Sequence, residues 1–350
     1  MQEVLKQFSE TIREAAAERT QLRIRGSGSK DFYGLALIGD VLDTRAYCGI
    51  VEYEPTEMVV TARAGTPLRE VETALAQEGQ MLAFEPPYFA ANATLGGSIA
   101  AGFSGPRRAY AGSARDFVLG ARILNGLGED LRFGGQVMKN VAGYDISRLL
   151  AGSFGTLGLI TEVSLKVLPL PEEERTLRFE MDEARALDSI NRWAAKPLPL
   201  SGSCYVDGAL SVRLSGAAPA IASAVSQLGG ENVDDGGTFW ESVRDQTHAF
   251  FANAPTLWRF SIKSTAAPLN LGTQLIEWNG SLRWVAAPLE AAKAHDVADE
   301  ARGHATLFRG SDKRHGIQKL PAGMLAVHKK LKRAFDPQGI LGPGRIHADF

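Results

Sequence analysis

The spacing of apolar residues in the first half of the chain predicts an N-terminal helix followed by short strands. Apolar residues recur at helical spacing within Met1–Thr20, which predicts an amphipathic helix there. A second helix is predicted over Pro67–Gly79, with Thr66 as its N-cap. The Asn125-Gly126 pair predicts a hairpin between two strands. The predicted strands are Leu22–Arg25, Gly34–Leu42, Met58–Ala64, Phe117–Leu124, Leu131–Phe133 and Ile160–Leu168.

The second half of the chain alternates strands with helices, which predicts an antiparallel α+β layer. The proline-containing, charged stretch Pro169–Arg175 is the predicted boundary between the two halves. The last predicted helix, Pro321–Phe335, is basic and amphipathic, and a glycine-rich tail follows it. We therefore expect three parts: residues 1–170, a cap over residues 176–315, and a C-terminal segment over residues 321–350 that packs back on the first part.

Composition narrows the class of protein. A length of 350 residues favours two domains, and 45% hydrophobic against 22% charged residues is typical of globular proteins. The formal charge of −2 lacks the basic surplus that nucleic-acid binding requires. Cys48 and Cys204 are too few for a disulfide scaffold and suit a reducing compartment. The charged N-terminus predicts no signal peptide, and no apolar run approaches the roughly 18 residues of a spanning helix. We expect a cytoplasmic protein.

Four glycine clusters mark the candidate chemistry. Glycine permits positive φ and lets a ligand approach the bare chain. Consecutive exposed N–H groups bind anions, and the neighbouring serine and threonine hydroxyls add donors. Lys30 and Lys139 supply countercharge. A tight turn explains any one cluster equally well, but four together favour a phosphorylated cofactor. The clusters are Gly26–Lys30, Gly96–Ser98 with Gly102, Gly143–Asp145 and Gly152–Gly158.

Neither standard phosphate-binding motif fits these clusters. The stretch Gly26–Asp31 lacks the third glycine of the dinucleotide fingerprint. Lys30 follows Ser29, whereas a P-loop requires glycine before its lysine, and GxxxxGK[ST] does not occur in the chain. We therefore expect a phosphorylated cofactor that several loops bind, in neither the Rossmann nor the Walker manner.

Four motifs occur in order along the chain: Arg25–Lys30, Ala93–Ala100, Val141–Asp145 and Gly155–Glu162. Together they resemble the FAD-binding domain of the vanillyl-alcohol oxidase / p-cresol methylhydroxylase (PCMH-type) flavoprotein family. The stretch Phe335–Arg345 resembles the segment of that family that returns to the flavin, although Gly342 stands where the family often has asparagine. The resemblance covers residues 1–170 and 321–347.

The resemblance implies an α+β fold in which two subdomains hold FAD and a small α+β cap covers the isoalloxazine ring. Within the family, the chain resembles the FAD-binding subunits of bacterial glycolate oxidases in its short length and in the sequence of Lys139–Asp145. That likeness implies oxidation of glycolate, a 2-hydroxy acid, to glyoxylate. It implies two partners, a larger FAD-containing subunit and an iron–sulfur subunit that receives the electrons. It also implies that any association with the inner face of the membrane runs through those partners.

The resemblance further implies which residues hold FAD. Gly26–Lys30 and Gly96–Ser98 would cradle the pyrophosphate, and Gly143–Asp145 would line the flavin. Gly155, Gly158 and Ile160 would contact the adenosine side. The predicted FAD-binding residues are Arg25, Gly26, Ser27, Gly28, Ser29, Lys30, Thr94, Gly96, Gly97, Ser98, Gly102, Gly143, Tyr144, Asp145, Gly155, Gly158, Leu159 and Ile160.

The histidines bear on catalysis and on the flavin link. Family members that oxidise 2-hydroxy acids hold a divalent metal with clustered histidines and a glutamate. Here no two histidines lie within five residues of each other, so we predict no metal site and assign no catalytic residue. Every histidine follows residue 247, so residues 1–170 offer none for a covalent link, and we predict non-covalent FAD. Arg107, Arg108 and Arg345 are the guanidinium groups nearest the glycine clusters and are candidates for binding a substrate carboxylate.

Two alternatives stay open. In the first, the chain is a non-catalytic subunit whose FAD serves assembly. In the second, it is a free-standing FAD-dependent 2-hydroxy-acid dehydrogenase of the D-lactate type. The missing histidine cluster argues against the second, and the glycine clusters argue against a fold without FAD. We expect that the chain takes part in substrate oxidation only within a complex.

Overall fold

The computed structural model describes residues 1–35, 37–135, 145–311 and 313–348. The chain divides into two units. Unit 1 contains Met1–Phe103, Ser113–Leu170 and Lys319–Phe350, and unit 2 contains Ser104–Gly112 and Pro171–Gln318. Each unit is therefore assembled from separated stretches of the chain. Among the described residues, no helix combines the length and the apolarity that a membrane span needs.

Helices and strands are numbered in chain order through both units. The helices of unit 1 are α1 (Gln2–Glu18), α2 (Leu68–Gln77), α3 (Leu95–Ala101), α5 (Ala114–Phe117) and α11 (Ala322–Phe335), with 3₁₀ turns at Pro55–Glu57 and Ser147–Leu150. Its strands are β1 (Leu22–Arg25), β2 (Asp40–Asp43), β3 (Ile50–Glu54), β4 (Val59–Arg63), β5 (Gln80–Met81), β6 (Val118–Leu124), β7 (Asp130–Gly134), β8 (Leu159–Lys166) and β9 (Leu168–Pro169).

Unit 1 is built around an antiparallel sheet of five strands in the order β3-β4-β8-β6-β7. Strands β1 and β2 form a separate parallel pair, and Leu341 of the C-terminal tail bridges to Leu22 of β1. The predicted N-terminal helix is confirmed, and it buries Phe8 and Ile12 against this pair and the tail. The tail therefore shares a hydrophobic core with the N-terminal helix. Fully burying a side chain such as Ile12 in that core contributes about 1.5–3 kcal/mol.

Two local predictions in unit 1 are wrong. The strand expected over Gly34–Leu42 is limited to Asp40–Asp43, because Gly34 and Gly39 have φ of +81° and +98° and turn the chain before it. Thr66 does not cap α2, which begins at Leu68 with Pro67 at the N-cap position. The Thr66 hydroxyl instead accepts a hydrogen bond from the N–H of Gly49 at 2.9 Å.

The predicted hairpin is confirmed as the antiparallel pair β6–β7, but its loop has more than two residues. The side-chain oxygen of Asn125 accepts hydrogen bonds from the N–H groups of Leu127 (2.9 Å) and Glu129 (3.0 Å). Gly128 supplies the left-handed residue with φ +68°. Asn125 therefore stabilises a wider turn through its side chain.

Unit 2 confirms the expected antiparallel α+β layer. Its helices are α4 (Arg108–Ala111), α6 (Glu183–Ala194), α7 (Ala218–Leu228), α8 (Gly236–Arg244), α9 (Ala249–Ala252) and α10 (Ala291–Glu300), with a 3₁₀ turn at Trp278–Gly280. Its strands are β10 (Glu173–Glu180), β11 (Leu200–Val206), β12 (Ala209–Gly216), β13 (Glu231–Val233), β14 (Leu257–Ser261), β15 (Gln274–Glu277), β16 (Leu282–Val285) and β17 (His304–Arg309).

The sheet of unit 2 has eight strands in the order β13-β10-β12-β11-β15-β16-β14-β17, and all neighbours run antiparallel. Residues of α6 and α7 pack against β10, β11 and β12 in one apolar cluster. Residues of α10 pack against β14, β16 and β17 in another. The alternation read in the sequence thus corresponds to strands that bury one face against helices.

The short segment Ser104–Gly112 belongs to unit 2 although unit 1 surrounds it in sequence. Arg107 explains part of this, since its guanidinium donates to Glu174 at 2.5 Å and to Ser215 at 3.2 Å. The indole N–H of Trp278 donates to the carbonyl oxygen of Gly105 at 3.0 Å. These contacts tie the segment to the sheet of unit 2.

Candidate functional site

A cleft in unit 1 brings three glycine-containing loops together. We call them the first loop (Gly26–Lys30), the second loop (Thr94–Gly97) and the third loop (Phe154–Gly158). The cleft encloses about 850 Å³ between protein atoms, part of it open to solvent. Residues of all three loops line it. The expectation that separated loops meet is therefore correct for these three.

The first loop follows β1 and lies against the second. A Cβ atom added to Gly26 would lie 2.3 Å from the Thr94 hydroxyl oxygen, so only glycine allows this approach without a shift. Gly28 has φ +78°, a left-handed conformation that a side chain would strain. The bare backbone of the loop is thus exposed toward the cleft.

The second loop is the start of α3. Thr94 caps this helix, and its hydroxyl accepts a hydrogen bond from the N–H of Gly97 at 3.3 Å. The N–H of Gly96 donates to the carbonyl oxygen of Ala64, just after β4, at 2.9 Å. A Cβ on Gly96 would lie 2.4 Å from that of Ala64, so the glycine lets the helix lie directly on the strand end.

The third loop precedes β8 and carries two left-handed residues. Phe154 has φ +51° and Gly155 has φ +77°. The ring of Phe154 stacks on Tyr33 with centroids 5.4 Å apart, which holds a strained residue in place. A Cβ on Gly158 would lie 2.9 Å from the carbonyl oxygen of Leu124, so the loop packs closely on β6.

The charge of the cleft favours an anion. Among the described residues that line it, four are cationic (Arg23, Arg25, Lys30 and Arg345) and one, Asp31, is acidic. The Nε atom of Arg23 is buried without a hydrogen-bond partner among the described residues. Arg25 forms an ion pair with Asp31 at 3.2 Å, which leaves a cationic surplus facing the loops. Buried cationic donors of this kind suit a phosphate group.

Arg345 reaches the cleft from the C-terminal tail, but hydrogen bonds to the backbone occupy it. Its guanidinium donates to the carbonyl oxygens of Lys30 (3.2 Å), Asp31 (3.4 Å) and Leu35 (3.4 Å). Burial lowers the pKa of this guanidinium from its ordinary value. Arg345 therefore fixes the end of the first loop, and binding a substrate carboxylate would require it to leave these carbonyls.

Arg107 and Arg108, the other candidates for a substrate carboxylate, lie in unit 2 and are engaged there. Arg107 pairs with Glu174, and the guanidinium of Arg108 lies 4.3 Å from the ring centroid of Trp278. Neither residue lines the cleft of unit 1.

Most of the predicted FAD-binding residues line the cleft, three do not, and two lie outside the described residues. Those that line it are Arg25, Gly26, Ser27, Gly28, Ser29, Lys30, Thr94, Gly96, Gly97, Gly155, Gly158, Leu159 and Ile160. Gly143 and Tyr144, with Lys139, lie outside the described residues. The structure places Ser98, Gly102 and Asp145 away from the cleft lining.

Two of these three residues, Gly102 and Asp145, have evident local roles. The Ser98 side chain is buried within unit 1, and its hydroxyl has no hydrogen-bond partner among the described residues. Gly102 ends α3 in a left-handed conformation with φ +66°. The Asp145 carboxylate accepts a hydrogen bond from the Ser147 hydroxyl at 2.9 Å and pairs with Arg148 at 3.1 Å.

Several lining residues were not among the predicted FAD-binding residues, mostly because they lie outside the glycine clusters. Arg23 had a sequence signal, since it shares a strand face with Arg25 at a spacing of two. Phe154 and Asp31 lie next to predicted residues. Gly342 and Arg345 lie in the tail that the resemblance predicted to return to the flavin, and the remaining residues had no local signal. The unpredicted residues are Arg23, Ile24, Asp31, Leu37, Thr44, Ala64, Ala100, Ala101, Phe154, Gly342 and Arg345.

Two histidines belong to unit 1 because the C-terminal segment does. The rings of His328 and His347 are 5.8 Å apart in an edge-to-face arrangement. The lining of the cleft includes neither. Within the part of the chain that the structure describes, no three His, Cys, Asp or Glu side chains form a metal-ligand group.

Comparison with known proteins identifies the family. The family model described as "FAD binding domain" matches residues 3–134, which include the first and second loops. The glycolate oxidase subunit GlcE of Escherichia coli (strain K12) is 48% identical over 341 residues, which are 97% of this chain and 96% of that protein. The chain belongs to the GlcE family of PCMH-type flavoproteins. The prediction of a PCMH-type FAD-binding protein is confirmed.

Other relatives of this GlcE-family chain match it in part. The glycolate oxidase subunit GlcD of Bacillus subtilis (strain 168) is 34% identical over 152 residues, which are 43% of this chain and 32% of that protein. A solved structure of alkyldihydroxyacetonephosphate synthase matches with a TM-score of 0.66 at 16% identity, covering 97% of this chain and 74% of that chain. At that identity the likeness shows the fold alone, and it agrees with the expected α+β class.

The cleft fits the cofactor of this family. FAD carries a pyrophosphate, and the cleft offers cationic donors, among them the buried Nε atom of Arg23, which lacks a hydrogen-bond partner among the described residues. Gly26 and Gly96 let the first and second loops lie directly against Thr94 and Ala64, where a Cβ would clash, so the backbone of both loops borders the cleft. The chemistry and the shape of the site therefore both suit a dinucleotide.

Proposed function

We propose that this chain is the FAD-binding subunit of a glycolate-oxidising complex. The complex would oxidise glycolate to glyoxylate and pass the electrons to an iron–sulfur subunit, with a larger FAD-containing subunit as the second partner. The observation that carries the proposal is 48% identity to GlcE along nearly the whole of both chains. That relative is a glycolate oxidase subunit, which supports action within a complex.

Different loops of unit 1 would bind different parts of FAD. The N–H groups of the first and second loops, with Arg23, Arg25 and Lys30, would bind the pyrophosphate. The third loop would support the remainder of the dinucleotide. When bound, FAD supplies the two-electron acceptor for the CH–OH carbon of glycolate, which becomes the carbonyl carbon of glyoxylate.

We further propose that FAD is bound without a covalent link and that the protein is cytoplasmic, reaching the inner face of the membrane only through its partners. The cleft lining includes no histidine, and Cys48 is not part of it either, which supports the non-covalent link within the described residues. Both cysteines are free thiols, which agrees with a reducing compartment.

An anaerobic reduction experiment tests this function. The chain is purified alone and with its two partner subunits, and the flavin absorbance of each sample is followed after glycolate is added. We expect bleaching in the complex and an oxidised flavin in the chain alone. Bleaching in the chain alone would instead support a free-standing dehydrogenase.

A variant of this chain separates a catalytic FAD from a structural one. The complex is assembled with a Gly97→Asp chain, which places a carboxylate at a residue that lines the cationic cleft, and assembly is checked by size-exclusion chromatography. We expect the variant complex to assemble without FAD at this site and to lose glycolate oxidation. Full activity in an assembled complex that lacks this FAD would support a non-catalytic role.

A further inference from the structure

Lys332 of α11 is buried although it carries a charged ammonium group. Its side chain is 7% exposed. The Nζ atom donates three hydrogen bonds, to the carbonyl oxygens of Thr156 (2.7 Å) and Leu341 (2.6 Å) and to the carboxylate of Asp336 (2.7 Å). Each of the three N–H donors of the ammonium group therefore has a hydrogen-bond acceptor.

The partner carboxylate is also buried and satisfied. Asp336 is 1% exposed and accepts hydrogen bonds from the N–H groups of Ile340 (3.1 Å) and Leu341 (2.8 Å). Burial lowers the pKa of the Lys332 ammonium, and Asp336 opposes that effect. Burying such a pair contributes little net stability and is costly to break on one side, so stability alone is a weak reason for its presence.

The acceptors of Lys332 connect it to the FAD cleft. Thr156 lies in the third loop between Gly155 and Gly158, and both of these glycines line the cleft. Leu341 precedes Gly342, which also lines the cleft and lies with its Cβ position 3.5 Å from the Thr156 side chain. One buried ammonium thus joins the third loop to the C-terminal tail.

The irregular backbone of the third loop explains why a hydrogen bond from Lys332 would matter there. Gly155 and Gly158 have φ of +77° and +155°, and Phe154 is left-handed, so the loop has no regular backbone ladder of its own. A loop that is free to change shape must be ordered when its ligand binds, which lowers affinity. A loop that is already ordered avoids this cost.

We propose that Lys332 is a positioning residue for FAD: it holds the third loop in its binding shape through the Thr156 carbonyl. This inference rests on the proposed FAD site and adds a residue that does not itself line the cleft. It separates two roles, since the Asp336 contact compensates the buried charges and the Thr156 contact orders the loop.

Two variants separate these roles. Lys332→Met removes all three donors and leaves the Asp336 carboxylate buried without its cation. Lys332→Met with Asp336→Asn removes that uncompensated charge but leaves the Thr156 carbonyl without its donor. Lys330→Met, at an exposed lysine of the same helix, is the matched control. Each protein is saturated with added FAD and then diluted, and the rise of flavin fluorescence gives the rate of FAD release. Urea unfolding of each protein gives its midpoint.

We expect Lys332→Met to lower the urea midpoint and to speed FAD release about tenfold or more, since a hydrogen bond to a charged group is lost. The double variant should recover part of the midpoint while FAD release stays fast, and Lys330→Met should match the wild type in both. The inference is overturned if FAD release in the variants equals that of the wild type. It is also overturned if FAD release in the double variant returns toward the wild-type rate as its urea midpoint recovers, because the loss of FAD would then follow from lower stability of the fold. A wild-type chain that binds no FAD would contradict the proposed function instead.

Discussion

Gly26 provides a quantitative test of how the first and second loops meet. Gly26→Ala adds a Cβ atom 2.3 Å from the Thr94 hydroxyl oxygen, at a position whose φ lies outside the left-handed region. An ordinary contact of this kind is about 1 Å longer, so Thr94 has to move, and overpacking of this size costs about 1–3 kcal/mol. Moving Thr94 also weakens the N-cap of α3, which contributes about 1 kcal/mol. We expect the free energy of unfolding to fall by about 2–4 kcal/mol in total.

The assay is a double-mutant cycle with Gly26→Ala, Thr94→Ala and the two together. Urea unfolding gives the free energy of each protein, and FAD titration gives its affinity. Removing the Thr94 hydroxyl makes room for the new Cβ, so the double variant should be more stable than additivity predicts by about 1–2 kcal/mol. Gly323→Ala is the control, because nothing lies within 4 Å of its Cβ position. FAD affinity should fall in Gly26→Ala and stay unchanged in the control.

The result that would refute this reasoning is strict additivity. If the effects of Gly26→Ala and Thr94→Ala simply add, the two residues do not touch as the structure has them. An unchanged FAD affinity in Gly26→Ala, with the protein folded, would separate the first loop from the cofactor.

Three further predictions concern stability and reactivity. Arg345→Met should lower the free energy of unfolding by about 2–4 kcal/mol in urea titration, since three backbone carbonyls lose a buried charged donor, and Arg345→Lys should not restore it. Hydrogen bonds from Arg122 lower the pKa of the Asp130 carboxyl, so this pair stabilises the fold above about pH 4 and the stabilisation is lost as the pH falls further. Asp130→Asn should therefore have a lower free energy of unfolding at neutral pH, and that free energy should fall less steeply below about pH 4 than in the wild type. An equally steep fall in the variant would contradict the pairing. Burial raises the pKa of the Cys204 thiol, so a thiol reagent should modify Cys48 alone in the native protein and both cysteines in urea.

The elements that could be predicted from the sequence are those whose cause is local. The helix α1 follows from apolar spacing, and the hairpin β6–β7 follows from Asn125 and its neighbours. The strand expected over Gly34–Leu42 is shorter than predicted because Gly34 and Gly39 turn the chain, and a distant contact accompanies that turn. The N–H of Leu35 donates to the carbonyl oxygen of Arg345, some three hundred residues away in the sequence. No local pattern carries that information.

The candidate site divides in the same way. The glycines of the three loops were predictable, because close approach and left-handed backbone have a signature in residue type. The cations that complete the cleft were less predictable, since Arg23 lies outside the glycine clusters and is marked only by its shared strand face with Arg25. The basic, amphipathic pattern of Pro321–Phe335 does not distinguish Lys330 from Lys332, yet Lys330 is exposed while Lys332 is buried and bonded to the tail. Long-range packing decides between two such lysines.

The central claim is that the glycine-lined cleft of unit 1 holds FAD without a covalent link. The most direct measurement is the visible spectrum of the purified chain after incubation with FAD and gel filtration, repeated on the supernatant after acid precipitation, for the wild type, Gly97→Asp and the control Gly323→Asp. We predict a flavin spectrum that passes entirely into the supernatant for the wild type and the control, and none for a folded Gly97→Asp protein. A wild-type protein without flavin, a flavin that stays with the precipitate, or a Gly97→Asp protein with full flavin would contradict the account.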